Sequence, residues 1–110
     1  MHRITQTQKG YDIVLTRGDS LYLIVGISKN GEPYTPQEGD TVRFAMCKEA
    51  GTAVLTKVIP TDTLQLTIKP EDTKNLPMYS RYDYDIELTT ADGDVDTFIE
   101  GHITLDKEVS

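Results

Sequence analysis

Seven acids and no lysine or arginine occupy the stretch from Asp83 to Glu100, and these are the residues of the chain with the clearest capacity for chemistry. Asp92, Asp94 and Asp96 stand at alternate positions, a spacing that offers oxygen ligands to a hard cation such as calcium. An EF-hand loop needs glycine at its sixth position and glutamate at its twelfth; counted from Asp92, glycine is second and Ile103 is twelfth. Strand residues on one face also diverge in steps of about 7 Å instead of converging on a point. The expectation is therefore that Asp83, Asp85, Glu87, Asp94 and Asp96 form the solvated face of a β-hairpin whose other face is core. Asp92, Asp94 and Asp96 stay as a secondary candidate metal site, and no cofactor is expected. Two neighbouring acidic strands repel each other, so a basic partner surface would relieve the strain and make this face a candidate for docking.

The remaining reactive side chains are few. Cys47 is the single cysteine, which excludes an intrachain disulfide, and only His2 and His102 are left to join it in a zinc site. Cys47 falls mid-strand with no histidine near it in sequence, so the pairing of nucleophile and base that covalent catalysis requires is not visible. His102 alternates with Glu100 and Thr104 on a polar strand face and reads as a surface histidine. Carboxylates abound, but none sits in an apolar run that would raise its pKa for acid catalysis. A Gly-rich phosphate loop is lacking. Arg17-Gly18-Asp19 has the composition of an adhesion tripeptide, yet Gly18 and Asp19 are what a turn between two strands needs in any case. The expectation is a protein that is not an enzyme.

These residues have to be positioned by strands. "YDIVLT" puts Tyr11, Ile13 and Leu15 on one face, and "SLYLIVGIS" puts Leu21, Leu23, Val25 and Ile27 on one face. "DTVRFAMCK" sets Val42, Phe44 and Met46 against Arg43, Ala45 and Cys47. "AVLTKVI" is a strand whose facing is open, ended by Pro60; "TLQLTIK" turns Leu64, Leu66 and Ile68 inward. "SRYDYDIELTT" has Tyr82, Tyr84, Ile86 and Leu88 on one side and the acids on the other. In "VDTFIEGHITLDK", Val95, Ile99, Ile103 and Leu105 are in phase, with Gly101 marking a bend or a bulge. Asn30-Gly31 and "ADGD" are turns, and "PEDTKNLP" suits one short helical turn near residues 70–76.

The fold class expected is all-β: an immunoglobulin-like antiparallel β-sandwich of seven to eight strands in one domain, with an ordered core of about 11–107 and loose ends. At 110 residues the chain can bury one core. Its net charge of −7 lies entirely in residues 56–110, which argues against a nucleic-acid partner. "MHRITQTQKG" lacks the apolar core of a signal peptide, and no run approaches the ~20 apolar residues of a membrane span. Val14, Tyr22, Ile24 and Phe98 fall on outward faces; Tyr22, Ile24 and Phe98 join the acids as candidates for a protein contact surface.

Several stretches together are similar to a phage pattern: the strand leading into Arg17-Gly18-Asp19, Gly39-Asp40 before the next main strand, the "P-E-x-T-x-x-L-P" bridge from Pro70 to Pro77, and Tyr82-Asp83-Tyr84-Asp85-Ile86 followed by the Asp92-Gly93 turn. From about Tyr11 to Val109 the chain resembles the small β-sandwich domain at the N-terminus of the baseplate upper protein of Gram-positive siphophages, and related stand-alone proteins of Firmicutes prophages. The resemblance implies a structural or assembly component of a tail-tip apparatus, docking onto other tail or baseplate proteins and forming a homo-oligomer, in the virion or in the host cytoplasm before assembly, with no membrane partner. It supplies no catalytic residues. In such a sandwich Tyr82 or Tyr84 would be a tyrosine corner, its hydroxyl bonded to backbone of the preceding bridge. The alternative is a stand-alone immunoglobulin-like binding module, carbohydrate-binding or adhesive, on a bacterial surface, although the chain has no tryptophan for a sugar groove.

Overall fold

A computed structural model describes residues 2–6, 10–29, 31–49, 52–76 and 81–106. Its strands are β1 (His2–Gln6), β2 (Tyr11–Thr16), β3 (Leu21–Ile24), β4 (Ser28–Lys29), β5 (Glu32–Pro33), β6 (Thr41–Glu49), β7 (Thr52–Ile59), β8 (Gln65–Ile68), β9 (Arg81–Thr89) and β10 (Val95–Asp106), with α1 (Pro70–Thr73) between β8 and β9. A six-stranded sheet, β1-β2-β10-β9-β6-β7, packs against a two-stranded sheet, β3-β8; β4 and β5 form a small hairpin. The molecule is an all-β sandwich, and the order β10-β9-β6-β7 facing β3-β8 is an immunoglobulin-like arrangement.

The period-two pattern holds across the main strands. Leu15, Leu21, Val42, Phe44, Leu66, Ile68, Tyr82, Ile86, Leu88, Ile103 and Leu105 are all buried, as their phase predicts. The helical turn forms where expected. Asp72 accepts the Lys69 N–H at 2.8 Å and the Lys57 ammonium at 2.8 Å, so the turn is capped and tied to β7. Burial pushes the Asp72 carboxyl up, but these two partners outweigh it and hold it below the usual carboxylate range.

Four features differ from expectation. First, the sheet is not wholly antiparallel: β10 runs parallel to β2, pairing Ile103 with Ile13 and Leu105 with Leu15. Second, β1 adds an edge strand within the first ten residues, paired antiparallel to β2. Third, the irregularity in β10 falls between Thr97 and Ile99, not at Gly101. The extra residue shifts the phase, so Val95 is 60% exposed instead of inward and Phe98 packs against the core instead of facing out. Gly101 serves another purpose, since a Cβ there would lie 2.0 Å from the Tyr11 carbonyl oxygen and 2.9 Å from the Tyr84 ring. Fourth, Leu64 precedes β8 with φ 54, closing the turn from Pro60, instead of extending the strand. Asn30, Pro77 and Lys107, which carried parts of the sequence reading, lie outside the described residues.

Candidate functional site

Asp83, Asp85, Glu87 and Glu100 spread over the outer face of the large sheet. Register places Asp85 opposite Glu100 on one side and Ala45 on the other, and Asp83 between Cys47 and His102. Glu87 lies opposite Arg43 and accepts its guanidinium at 2.6 Å. Asp85 has one carboxylate oxygen buried without a partner among the described residues. Burial, with Glu87 and Glu100 nearby, raises its pKa against the pull of Arg43. Asp92 and Asp94 are exposed around the Thr90–Asp94 turn, in which Gly93 takes φ 91 and its N–H donates to the Thr90 carbonyl. Asp96, also exposed, stands opposite Leu88 because of the bulge and so leaves the solvated face on which the sequence phase put it. No cluster of three or more His, Cys, Asp or Glu side chains suited to a metal ion occurs among the described residues.

His102 is more constrained than a bare surface histidine. Its Nδ1 lies 3.2 Å from Asp12, its Nε2 3.1 Å from Asp83, and Arg81 approaches Nδ1 at 3.1 Å. The His102 backbone N–H also donates to Asp12 at 3.2 Å. The result is a polar clasp across β2, β10 and β9; none of these partners is a hydroxyl or a thiol. The Arg17-Gly18-Asp19 turn is likewise held down. Arg17 donates to the Leu76 carbonyl at 3.1 Å, and the Gly18 N–H donates to the Thr73 hydroxyl, which is buried on α1.

The apolar candidates Tyr22 and Ile24 do come together, on the outer face of β3, at 51% and 73% exposure. Lys69 hydrogen-bonds the Tyr22 hydroxyl and sits 4.7 Å from its ring centroid, fixing the ring along the small sheet. β3 pairs only with β8. The Val25 N–H donates to the Leu64 carbonyl at 2.8 Å, so residues 21, 23 and 25 bond to β8. By the alternation of an antiparallel ladder, Tyr22 and Ile24 turn their N–H and C=O groups away from it. No described strand lies along that edge.

Beside this edge is a cavity of about 210 Å³. Its lining includes the buried Ile13, Leu66, Tyr84 and Ile86, the half-buried Ile99 and the more exposed Ile4, Tyr11 and Ile24. Ile4 and Tyr11 are 38% and 40% exposed. They lie on the inner face of β1 and β2, in phase with buried Ile13, and stay partly exposed although Leu23 and Ile24 of β3 line the same cavity. No protein-family model matches the chain, and no curated protein matches its sequence.

Sequence reasoning reached Tyr22 and Ile24 but missed Ile4, Tyr11 and the cavity. The exposure of Ile4 and Tyr11 follows from unequal sheet widths, which no local pattern encodes. Asp40 was seen only as part of a Gly-Asp turn. It is buried, and it accepts the Tyr34 hydroxyl at 2.5 Å, the Gln37 N–H at 2.8 Å and the Ala91 N–H at 3.2 Å, joining two distant turns. As for a tyrosine corner, the Tyr84 hydroxyl donates to the Tyr11 carbonyl at 2.6 Å instead of to the bridge. The buried Tyr82 hydroxyl has no partner among the described residues.

Proposed function

We propose that this chain is a non-enzymatic structural component of a phage or prophage tail-tip apparatus and that it works by docking onto other tail or baseplate proteins. The observation that carries the docking reading is the open side of the sandwich. A six-stranded sheet faces a two-stranded one, leaving Tyr22, Ile24 and the outer edge of β3 exposed and Ile4 of β1 and Tyr11 of β2 partly uncovered. Grouped apolar exposure of this kind, in a chain of net charge −7, is the usual mark of a contact surface. The phage assignment rests on the sequence resemblance. The acidic outer face adds orientation, since it favours partners with basic surfaces and repels acidic ones.

The test is to combine the purified chain with each tail-tip protein encoded alongside it and to measure masses by size-exclusion chromatography with light scattering. A stable complex with at least one of them is expected. A chain that stays monomeric alone and in every mixture at high concentration would overturn the reading.

A further inference from the structure

The open side of the sandwich has a shape that specifies what fills it. We propose that it takes an extended segment of a partner polypeptide, which adds to β3 as a third strand of the small sheet and places alternate apolar side chains in the cavity. The inference rests on the docking function above and names the chemistry of the partner.

Three observations carry it. The first is backbone polarity. Tyr22 and Ile24 direct two N–H donors and two C=O acceptors to the outside at the spacing of a strand ladder, and only an extended chain meets all four in register. The second is topology. In an immunoglobulin-like sandwich the first strand pairs with the strand corresponding to β3; here β1 and β2 lie in the opposite sheet beside β10, so that position has no described occupant. Its facing wall, Ile4 and Tyr11, is nevertheless apolar and partly exposed. The third is charge. The stretch from Ser20 to Ser28 has no Asp, Glu, Lys, Arg or His, and neither has the cavity lining, although 26% of the chain is charged. Lys69, which follows β8, is engaged with the hydroxyl and ring of Tyr22 on the outer face of β3 and is not part of the cavity lining. On the side that borders the cavity, the edge thus lacks the lysines and acids with which edge strands ordinarily avoid pairing. It therefore selects a segment that is uncharged on the side facing the cavity.

Geometry disfavours a second folded copy in this place. The layer opposite an added strand is already filled by β1 and the Tyr11 end of β2. A twofold β3-to-β3 contact would bring the second copy's own β1 and β2 into the same layer. A single extended segment meets no such obstruction.

The probe is a capped nonapeptide of alternating threonine and valine with a lysine at each end, titrated into the full chain and followed by amide hydrogen exchange. Protection is expected at the Tyr22 and Ile24 amides, while Leu21 and Leu23, already bonded to β8, stay unchanged. Ile4→Lys and Ile24→Lys, both at exposed positions, should weaken peptide binding at least tenfold without lowering the melting temperature. Val58→Lys, on the exposed face of β7, should leave binding unaltered. The inference is overturned if the native chain gains no protection, if protection appears along β7, or if both groove variants bind as well as the native chain. Concentration-dependent protection of the same amides without peptide, together with a dimer in light scattering, would also overturn it in favour of a second copy. A tail-tip complex that survives both groove variants would reject strand addition and leave the docking function standing. Absence of any such complex with the native chain would reject the docking function itself, whatever the peptide does.

Discussion

Tyr84 shows how one side chain ties the sandwich together. Its ring packs in the core 5.7 Å from that of Phe44, and its hydroxyl reaches the Tyr11 carbonyl at 2.6 Å, joining β9 to β2 across the glycine gap at Gly101. Burial raises its pKa to about 12 from the ordinary value of 10. A raised folded-state value means that the stabilisation is fully present below about pH 10 and is lost as pH rises through about 12. Tyr84→Phe should cost about 1 kcal/mol in urea unfolding at pH 7. The gap between native and variant stabilities should then close over that alkaline window. No loss at neutral pH, or a gap that persists above it, would remove the hydroxyl's role. The inward phase of Tyr84 was legible from Tyr82, Ile86 and Leu88. Its partner was not, because Tyr11 lies 73 positions away in sequence.

At the scale of elements, β10 is where local reading and packing part company. Alternation counted through "VDTFIEGHITL" assumes one residue per step, and the extra residue near Phe98 breaks that count. Everything before the bulge reverses face, which explains why Val95, Asp96 and Phe98 were misplaced while Ile103 and Leu105 were not. Gly101 was noticed for the right reason, an anomalous glycine in a strand, but what it permits is close approach of the Tyr11 backbone. Gly101→Ala should therefore push β2 away from β10 and cost about 1–3 kcal/mol. The check is a denaturant titration, with hydrogen exchange rising along β2 and β10 before β6 and β7. A variant of native stability would mean that the Tyr11 backbone moves aside freely.

On the scale of the whole molecule, the asymmetry of charge becomes an asymmetry of surfaces. Asp83, Asp85, Glu87 and Glu100 lie on the outer face of the large sheet, while the β3 edge and its uncharged cavity lining belong to the small-sheet side. Under the proposed docking function, orientation and adhesion would fall to different sides. If the acidic face steers a partner, Asp83→Asn combined with Glu100→Gln should slow association with the tail-tip protein of the complex about tenfold at low salt. The difference should vanish in high salt, measured by stopped-flow fluorescence, with little change in dissociation rate. Equal association rates at low salt would show that the face meets only water.

The residue pattern alone determined the all-β class, most strand positions, the helical turn after β8 and the greater part of the core. Alternation and turn residues are local properties, and each strand's buried face is written in its own neighbours. Tertiary structure decided what lies beside what. The Asp12–His102 clasp joins residues 90 positions apart, and β2 leaves the small sheet to run parallel with β10. That choice of sheet is settled by packing between distant segments, and it leaves the β3 edge and the inner face of β1 open. Tyr22 and Ile24 could be picked out as exposed from their phase; that they border an unfilled strand position could be known only once both sheets were in place.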